Sequence, residues 1–366
     1  MRILQLVTGE KWTGTAAVVF DQTAALVEAG IEAQFGFTGE SPLARRLSPV
    51  GWARPILRRP RGPFRFFQDV ETLRAMLARE KFDVVHAHAT HDHYLAALAV
   101  GQTGVRVVRT LHHTRHVRKG PLSRALRRRT RAFGFANRMI AAQFGARGPI
   151  HSPVVDPRRF TPDGKPSELA ARLGASGAGF LVGTVGKLAA GRGHEEAIRA
   201  LGGLPPGTAL LHVGKGDDER ALASLAASLG LAERNFWTGY QEEELPALYR
   251  SMQVFLFTAS GSEQGQRAIL EAMACGVPVV ALDLPGVRDL VTEGDQGFVA
   301  RDVDGLVSGL GRLMEDSELR VRLGRRARMR AQEFTPQKFA AAAKSFYEGV
   351  LSPGGLPGLS GRAPGS

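Results

Sequence analysis

The sequence predicts an α/β protein built as two doubly wound parallel-sheet domains of similar size. Three observations carry that expectation. The chain has 366 residues, and at about 100–200 residues per domain this suggests two domains. Short apolar runs alternate with helically spaced segments in both halves, the β-α-β order of a parallel sheet covered on both faces. A cluster of Pro157, Pro162, Gly164 and Pro166 marks a linker between them, over residues 156–176. Hydrophobic residues make up 43% and charged residues 23%, which excludes disorder over most of the length.

In the first half, residues 3–7, 32–37, 83–87, 105–110 and 138–142 read as buried strands, because each is a short apolar run. Residues 14–29 read as a helix from apolar Ala17, Val18, Ala24 and Ala25 at helical spacing. Residues 73–79 and 94–100 are also helical. In the second half the strands are 180–185, 209–213, 235–238, 254–257 and 277–281. Helices fall between them at 195–201, 219–229, 243–251 and 265–274, followed by 304–314, 317–333 and 336–350. The resulting division is 1–152, 153–335, a last helix over 336–351 and a Pro-, Gly- and Ser-rich tail over 352–366 expected to be disordered. Parallel sheets of this kind take ligands at the carboxyl ends of their strands.

One cysteine, Cys275, excludes an intrachain disulfide and a multi-cysteine zinc site. The N-terminus lacks the apolar length and cleavage site of a signal peptide, and no apolar run reads as a membrane span. A cytoplasmic location is expected. The net charge is +13, and it is unevenly divided: residues 1–150 carry 24 Lys and Arg against 10 Asp and Glu, whereas 151–366 carry 24 against 25. An excess confined to one half points to an anionic partner for that half. Two stretches hold most of it. Arg45, Arg46, Arg54, Arg58, Arg59, Arg61 and Arg65 are interleaved with Trp52, Phe64, Phe66 and Phe67; Arg118, Lys119, Arg124, Arg127, Arg128, Arg129 and Arg131 lie beside Leu122, Leu126 and Phe133. This mixture suits an anionic membrane interface or a phosphorylated glycolipid, and equally a solvated basic surface.

The segment from Ser260 to Val280 carries the strongest chemical signal. It reads as a strand end, a polar loop holding Glu263 and Gly265, a helix holding Glu271, and a further strand. Eight residues of helix span about 12 Å, so the two carboxylates do not share a proton. The spacing suits two hydroxyl-bearing groups at opposite ends of an extended ligand, or two solvated charges near a helix start. Farther upstream, Gly186-Lys187-Leu188-Ala189-Ala190-Gly191-Arg192-Gly193 follows strand 180–185 and opens a helix. Free amides at a helix start beside two cations make an anion site, or the pair are surface cations in a loop. The Walker pattern is absent, because Leu188 follows Lys187.

The 260–280 segment resembles the glutamate-seven residues-glutamate signature of retaining glycosyltransferases of the GT-B fold, family 4 in particular. Both glutamates and the run Glu271-Ala272-Met273-Ala274-Cys275-Gly276-Val277-Pro278-Val279-Val280 are kept, while Gln264-Gly265-Gln266-Arg267 departs from the usual Gly-Phe-Gly-apolar core. The resemblance extends over residues 1–350. It includes the 180–194 loop, with Lys187 and Arg192 exchanged relative to the usual order, Leu210–Asp217, Phe236–Tyr240, and Pro285–Val291. It implies two Rossmann-like domains facing across a cleft, an N-terminal one for the acceptor and a C-terminal one for a nucleotide-sugar donor, with the last helix packing back on the first. Glu271 would hold the ribose hydroxyls. Glu263 would face the donor sugar as a catalytic group. Amides near Gly265, Gln266 and Arg267 would lie by the sugar and phosphate. Lys187 and Arg192 would bind the diphosphate, and Gly14 and Thr15, after Lys11-Trp12-Thr13, would approach it from the N-terminal domain. His112, in Arg109-Thr110-Leu111-His112-His113, matches the strand-end histidine lining the family's active site, the second candidate catalytic residue.

The histidine cluster His86, His88, His91, His93, His112, His113 and His116 also suits a metal, but the resemblance implies none. Asp302-Val303-Asp304 fits a metal-binding Asp-x-Asp, yet its place after the last strand suits a helix cap. Neither a metal nor another cofactor is expected, the nucleotide sugar being a substrate. The function expected is transfer of a hexose-like sugar, with retention, to an envelope glycolipid, lipopolysaccharide or polysaccharide, at the inner face of the cytoplasmic membrane. The alternatives are a sugar-nucleotide epimerase or phosphorylase of the same fold, a transferase-like protein without activity, or a basic nucleic-acid-binding protein. No nucleic-acid module is visible, so nucleic acid is not expected as a partner.

Overall fold

The computed structural model describes residues 1–9, 11–39, 41–47, 49–57, 63–101, 103–113, 120–259 and 266–353. The chain divides into two compact units, Val155–Thr335 and a unit formed by Met1–Val154 together with Pro336 onward.

The first unit is a six-stranded parallel sheet in the order β3-β2-β1-β4-β5-β6. Its strands are β1 (Arg2–Val7), β2 (Glu32–Thr38), β3 (Ala53–Leu57), β4 (Val84–Ala87), β5 (Arg106–Leu111) and β6 (Thr130–Phe135). Its helices are α1 (Gly14–Glu28), α2 (Pro42–Leu47), α3 (Pro63–Glu80), α4 (Thr90–Ala99), α5 (Pro121–Arg129) and α6 (Arg138–Phe144). Side chains alternate across the sheet. Ile3, Val84 and Val108 pack with Ala343, Phe346, Tyr347 and Val350 of the C-terminal helix, while Leu4, Leu6, Val85 and Val107 pack with Leu73, Leu77 and Leu95 of α3 and α4. That C-terminal helix, α15 in chain order (Pro336–Leu351), lies against α1 and completes this unit's core.

The second unit repeats the same strand order. Its strands are β7 (Phe180–Val185), β8 (Thr208–Val213), β9 (Asn235–Trp237), β10 (Val254–Phe257), β11 (Val279–Leu282) and β12 (Gly297–Ala300), paired as β12-β11-β10-β7-β8-β9. The helices are α7 (Glu168–Arg172), α8 (His194–Gly202), α9 (Glu219–Ser228), α10 (Leu245–Ser251), α11 (Gln266–Ala274), α12 (Val287–Leu290), α13 (Val303–Glu315) and α14 (Ser317–Ala331). Both sheets carry the doubly wound order in which the first and fourth strands lie side by side at the switch point.

Several elements differ from the sequence expectation. Residues 138–142 form α6, not a strand: the Asn137 side chain accepts from Ile140 N at 2.9 Å, and Gly145 at φ 73° closes the helix in the left-handed region. The sixth strand is β6, hidden in the basic stretch that ends at Arg131. Strands β3 and β12 were not anticipated. Residues 156–176 are no free linker, since Phe160, Ala170 and Ala175 are buried in the core of the second unit. The tail from 354 onward lies outside the described residues.

Candidate active site

The first unit gathers polar side chains at the carboxyl ends of its central strands. Gln5 on β1 stands opposite His86 on β4 in the register, and Thr110 is the last residue but one of β5. The His86 ring stacks on His88 with centroids 4.4 Å apart, as alternate residues on one strand face should. His86 Nε2 lies 2.8 Å from Thr110 Oγ1, and His88 Nδ1 lies 3.0 Å from His112 Nε2. His112, one residue beyond β5, is 1% exposed. Burial drives the His86 and His88 imidazoles well below their ordinary pKa, so both are neutral near pH 7. Asp92, at the start of α4, accepts from Ala89 N at 2.7 Å, from Thr8 N at 3.1 Å and from the Thr8 hydroxyl. It ties the end of β1 to the end of β4. Burial raises its pKa, and these hydrogen bonds oppose the rise.

At the start of α1, Thr13 is the N-cap, and its hydroxyl accepts from Ala16 N at 3.2 Å. Thr13 therefore closes one first-turn amide. Gly14 is exposed and Thr15 half-buried at this helix start.

The second unit presents two features at its strand ends. The loop after β7 is stitched to the loop after β8: Leu188 N donates to Lys215 O at 3.2 Å, and Asp218 N donates to Leu188 O at 3.2 Å. A Cβ at Gly193 would run into the Thr258 carbonyl, and its φ is 75°, so glycine is needed where this loop enters α8. Lys187 is exposed and reaches Asp217 at 3.8 Å, whereas Arg192 is half-buried at the far end of the loop. Glu195 and Glu196 occupy the first turn of α8. They neutralise much of the positive helix start, so attraction for an anion rests mainly on the two cations.

The second feature is Glu271, 4% exposed on α11. Its Oε2 accepts from the Tyr249 hydroxyl at 3.0 Å, and its Oε1 accepts from Arg267 Nε at 2.9 Å. Burial, and secondarily the carboxylate, push the Tyr249 phenol well above its ordinary pKa, so it stays a donor. Burial pushes the Cys275 thiol up to about 12, which leaves it an inert core group. Gln266 turns its side chain inward, donating to Pro285 O at 3.2 Å, so only its backbone remains to meet a ligand at the helix start. Glu263 and Gly265 lie outside the described residues.

Among the described residues, no three His, Cys, Asp or Glu side chains form a group that could hold a metal ion. Asp302 caps α13, accepting from Gly305 N at 2.9 Å. The sequence reading missed Gln5, Asp92, Tyr249 and Tyr347. Asp92 alone left a local signal, an acid in the first turn of a helix.

Residues 167–330 match the model for glycosyl transferases group 1, and residues 12–144 match that for glycosyltransferase family 4. The chain is 29% identical over 322 residues to D-inositol 3-phosphate glycosyltransferase of Frankia alni, a match spanning 77% of this chain and 78% of that one. It is 34% identical over 201 residues to the GDP-mannose-dependent alpha-(1-6)-phosphatidylinositol monomannoside mannosyltransferase of Mycolicibacterium smegmatis, covering 50% of this chain and 52% of the relative. Its fold is similar to that of Anabaena HepE, solved in complex with UDP, with a TM-score of 0.82 at 20% identity over 95% of this chain and 100% of that one.

Proposed function

The chain belongs to the family 4 glycosyltransferases, and from that premise we propose that it moves a hexose-like sugar from a nucleoside-diphosphate donor to an acceptor hydroxyl with retention of configuration. The observation that carries this reading is Glu271. A carboxylate buried behind a strand end, with one oxygen held by Tyr249 and the other by Arg267, is fixed in place, and each oxygen keeps a second lone pair. That is the acceptor pair a ribose diol needs.

The diphosphate falls to Lys187, Arg192 and the amides opening α8 and α11, which stabilise the charge that develops on the leaving group. These cations do the work a divalent metal does in other transferases, so the reaction proceeds without one. Glu263 stabilises positive charge at the reacting carbon, and His112 faces the donor sugar. Gly14 and Thr15, at the start of α1, are the first unit's candidates for donor binding. The basic first unit takes the acceptor. A glycolipid of the cell envelope, of phosphoinositide or lipopolysaccharide type, suits that charge and the mannosyltransferase relative's lipid acceptor. The enzyme then works at the inner face of the cytoplasmic membrane as a peripheral protein. The Frankia relative, named for D-inositol 3-phosphate, favours a second acceptor of the same charge, a soluble phosphorylated polyol.

A thermal-shift screen with UDP-, GDP-, ADP- and CMP-sugars identifies the donor, because a ligand at 100 times its Kd stabilises by about 2.7 kcal/mol. The anomeric coupling of the product, read by proton NMR, then tests retention, and an inverted product refutes it. Activity should survive EDTA, and strict metal dependence would overturn the assignment of Lys187 and Arg192. Labelled transfer to lipid extract against inositol phosphate separates the two acceptors.

A further inference from the structure

A buried imidazole holds the loop that opens α8. His194, the first residue of that helix, is 3% exposed. Its Nε2 lies 3.2 Å from the Lys187 carbonyl oxygen. A carbonyl can only accept, so Nε2 carries the proton and the direction of this bond is fixed. His194 Nδ1 is buried without a hydrogen-bond partner, so among the described residues the ring's one hydrogen bond is that to Lys187. The ring packs on His212, with centroids 5.7 Å apart, and His212 stacks on Trp237 at 4.0 Å. His212 is held in its turn. Asn235 Nδ2 donates to Leu231 O at 2.8 Å, which presents Asn235 Oδ1 to His212 Nε2 at 2.9 Å. The two ends of the loop are tied by other elements: Gly186 N donates to Val213 O at 3.0 Å, and the Thr258 hydroxyl donates to Gly193 O at 2.6 Å. Between these ends, His194 secures the Lys187 carbonyl.

We propose that His194 is a positioning residue of the diphosphate loop: its Nε2–H holds the Lys187 carbonyl and so fixes the peptide unit from which the Lys187 side chain projects. The inference rests on the reading of Lys187 and Arg192 as the cations that meet the diphosphate. Glycine at 186, 191 and 193 gives this loop wide backbone freedom. The Lys187 side chain is 60% exposed, with only the exposed Asp217 at 3.8 Å to restrain it. Its aim is therefore set by its own backbone. With the carbonyl pinned on a buried ring, the ammonium group is confined to one region before the donor arrives, and less freedom is lost on binding. Without that bond the peptide at 187 can rotate, and the same lysine meets the phosphates less often.

The test titrates the full chain with UDP, GDP and ADP and with uridine, guanosine and adenosine. His194→Phe keeps an aromatic ring, removes the donor and removes with it the unpartnered Nδ1. It should weaken binding of whichever diphosphate the wild type takes by roughly 3–10-fold, the worth of one hydrogen bond, and leave affinity for the matching nucleoside unchanged. His194→Gln, whose amide offers a donor in place of Nε2, should restore most of the loss. In a Lys187→Ala background His194→Phe should cost less than about twofold, because the side chain it aims is gone. Should His194→Phe fail to fold, wild-type protein carrying 15N-labelled histidine still tests the geometry through two-bond proton–nitrogen correlations: an Nε2–H ring at His194 is expected near neutral pH, and an Nδ1–H ring refutes the proposal. Equal losses for diphosphate and nucleoside, losses that add to those of Lys187→Ala, or no loss in His194→Phe where Lys187→Ala loses affinity also overturn it. Unchanged diphosphate affinity in both Lys187→Ala and Arg192→Ala refutes instead the reading of the loop on which the proposal rests.

Discussion

Lys187 and Asp217 stand 3.8 Å apart with side chains 60% and 93% exposed. A pair so exposed is worth about 0–1 kcal/mol, so a diphosphate can readily take the lysine from it. Lys187→Ala and Arg192→Ala should each weaken nucleoside-diphosphate binding by about 1.5–3 kcal/mol, as expected for a charge-assisted contact. Isothermal titration measures this, and unchanged affinity in both variants would remove the loop from the site. The two glutamates should separate by kinetics. Glu271→Gln replaces one accepting oxygen by an NH2 group facing Tyr249 or Arg267, so nucleotide affinity should fall together with stability, the latter by about 1–3 kcal/mol. Glu263→Gln should lower turnover while leaving nucleotide affinity intact, because its contact strengthens as charge develops. Normal turnover in Glu263→Gln would show that the group is not at the reacting carbon. Glu271 was legible from its motif; Tyr249, 22 residues earlier in α10, was not.

At the scale of elements, α6 shows how capping overrides an apolar run. The segment Arg138-Met139-Ile140-Ala141-Ala142 is short and ambiguous by periodicity, and Asn137 before it with Gly145 after it settles the matter in favour of a helix. Asn137→Ala should cost about 1 kcal/mol in urea unfolding; a loss below the error of the measurement would show the cap to be idle. Helix α5 shows the converse, that a charge run is not a uniform surface. Arg127 lies over the Phe144 ring at 4.0 Å, and Arg129 Nη1 donates to Ala97 O at 3.2 Å, while Arg124 and Arg128 are exposed. Arg58, Arg59 and Arg61 fall outside the described residues. If the first unit docks on an anionic bilayer, Arg124→Gln with Arg128→Gln should weaken vesicle binding by about 1 kcal/mol per residue at low salt. Co-sedimentation with anionic and neutral vesicles across a salt series checks it, and equal binding to both lipids would exclude electrostatic docking. No described helix is long and apolar enough to cross a membrane.

For the whole molecule, buried neutral histidines couple stability to pH in both units. Burial lowers His93 to about 3 and His151 to about 4 in the first unit, and His212 to about 3 in the second. His93 has Arg109 Nη1 2.9 Å from Nδ1, which lowers it further. Each folded pKa lies below the unfolded value near 6.5, so the unfolded chain binds more protons in that window. Stability is therefore complete above about pH 6.5 and declines as pH falls towards 4, by up to about 1.4 kcal/mol per pH unit for each histidine. Denaturant midpoints at pH 7.5, 6, 5 and 4 should fall steadily, and His212→Asn should flatten the dependence in the second unit. A midpoint that stays level from pH 6.5 to 4 would refute the argument.

Much of both sheets could be read directly, because parallel strands buried on two faces are continuous apolar runs and their crossover helices carry helical spacing; these are properties of neighbours in sequence. The loop from Gly186 to Gly193 and the segment holding Glu271 stood out in the sequence for the same reason, each lying within one strand-loop-helix segment. Strands β3, β6 and β12 escaped because charge, proline or glycine interrupts them: Arg54 and Pro55, Arg131 and Gly134, and Gly297. What only the tertiary structure decided is which distant polar groups meet. The Gln5–Tyr347 bond joins residues 342 apart and the His86–Tyr347 bond residues 261 apart. No local periodicity records such a pairing. It exists because sheet order places β1, β4 and β5 side by side and α15 returns across them, so that a buried hydroxyl must find its partner there or remain unsatisfied.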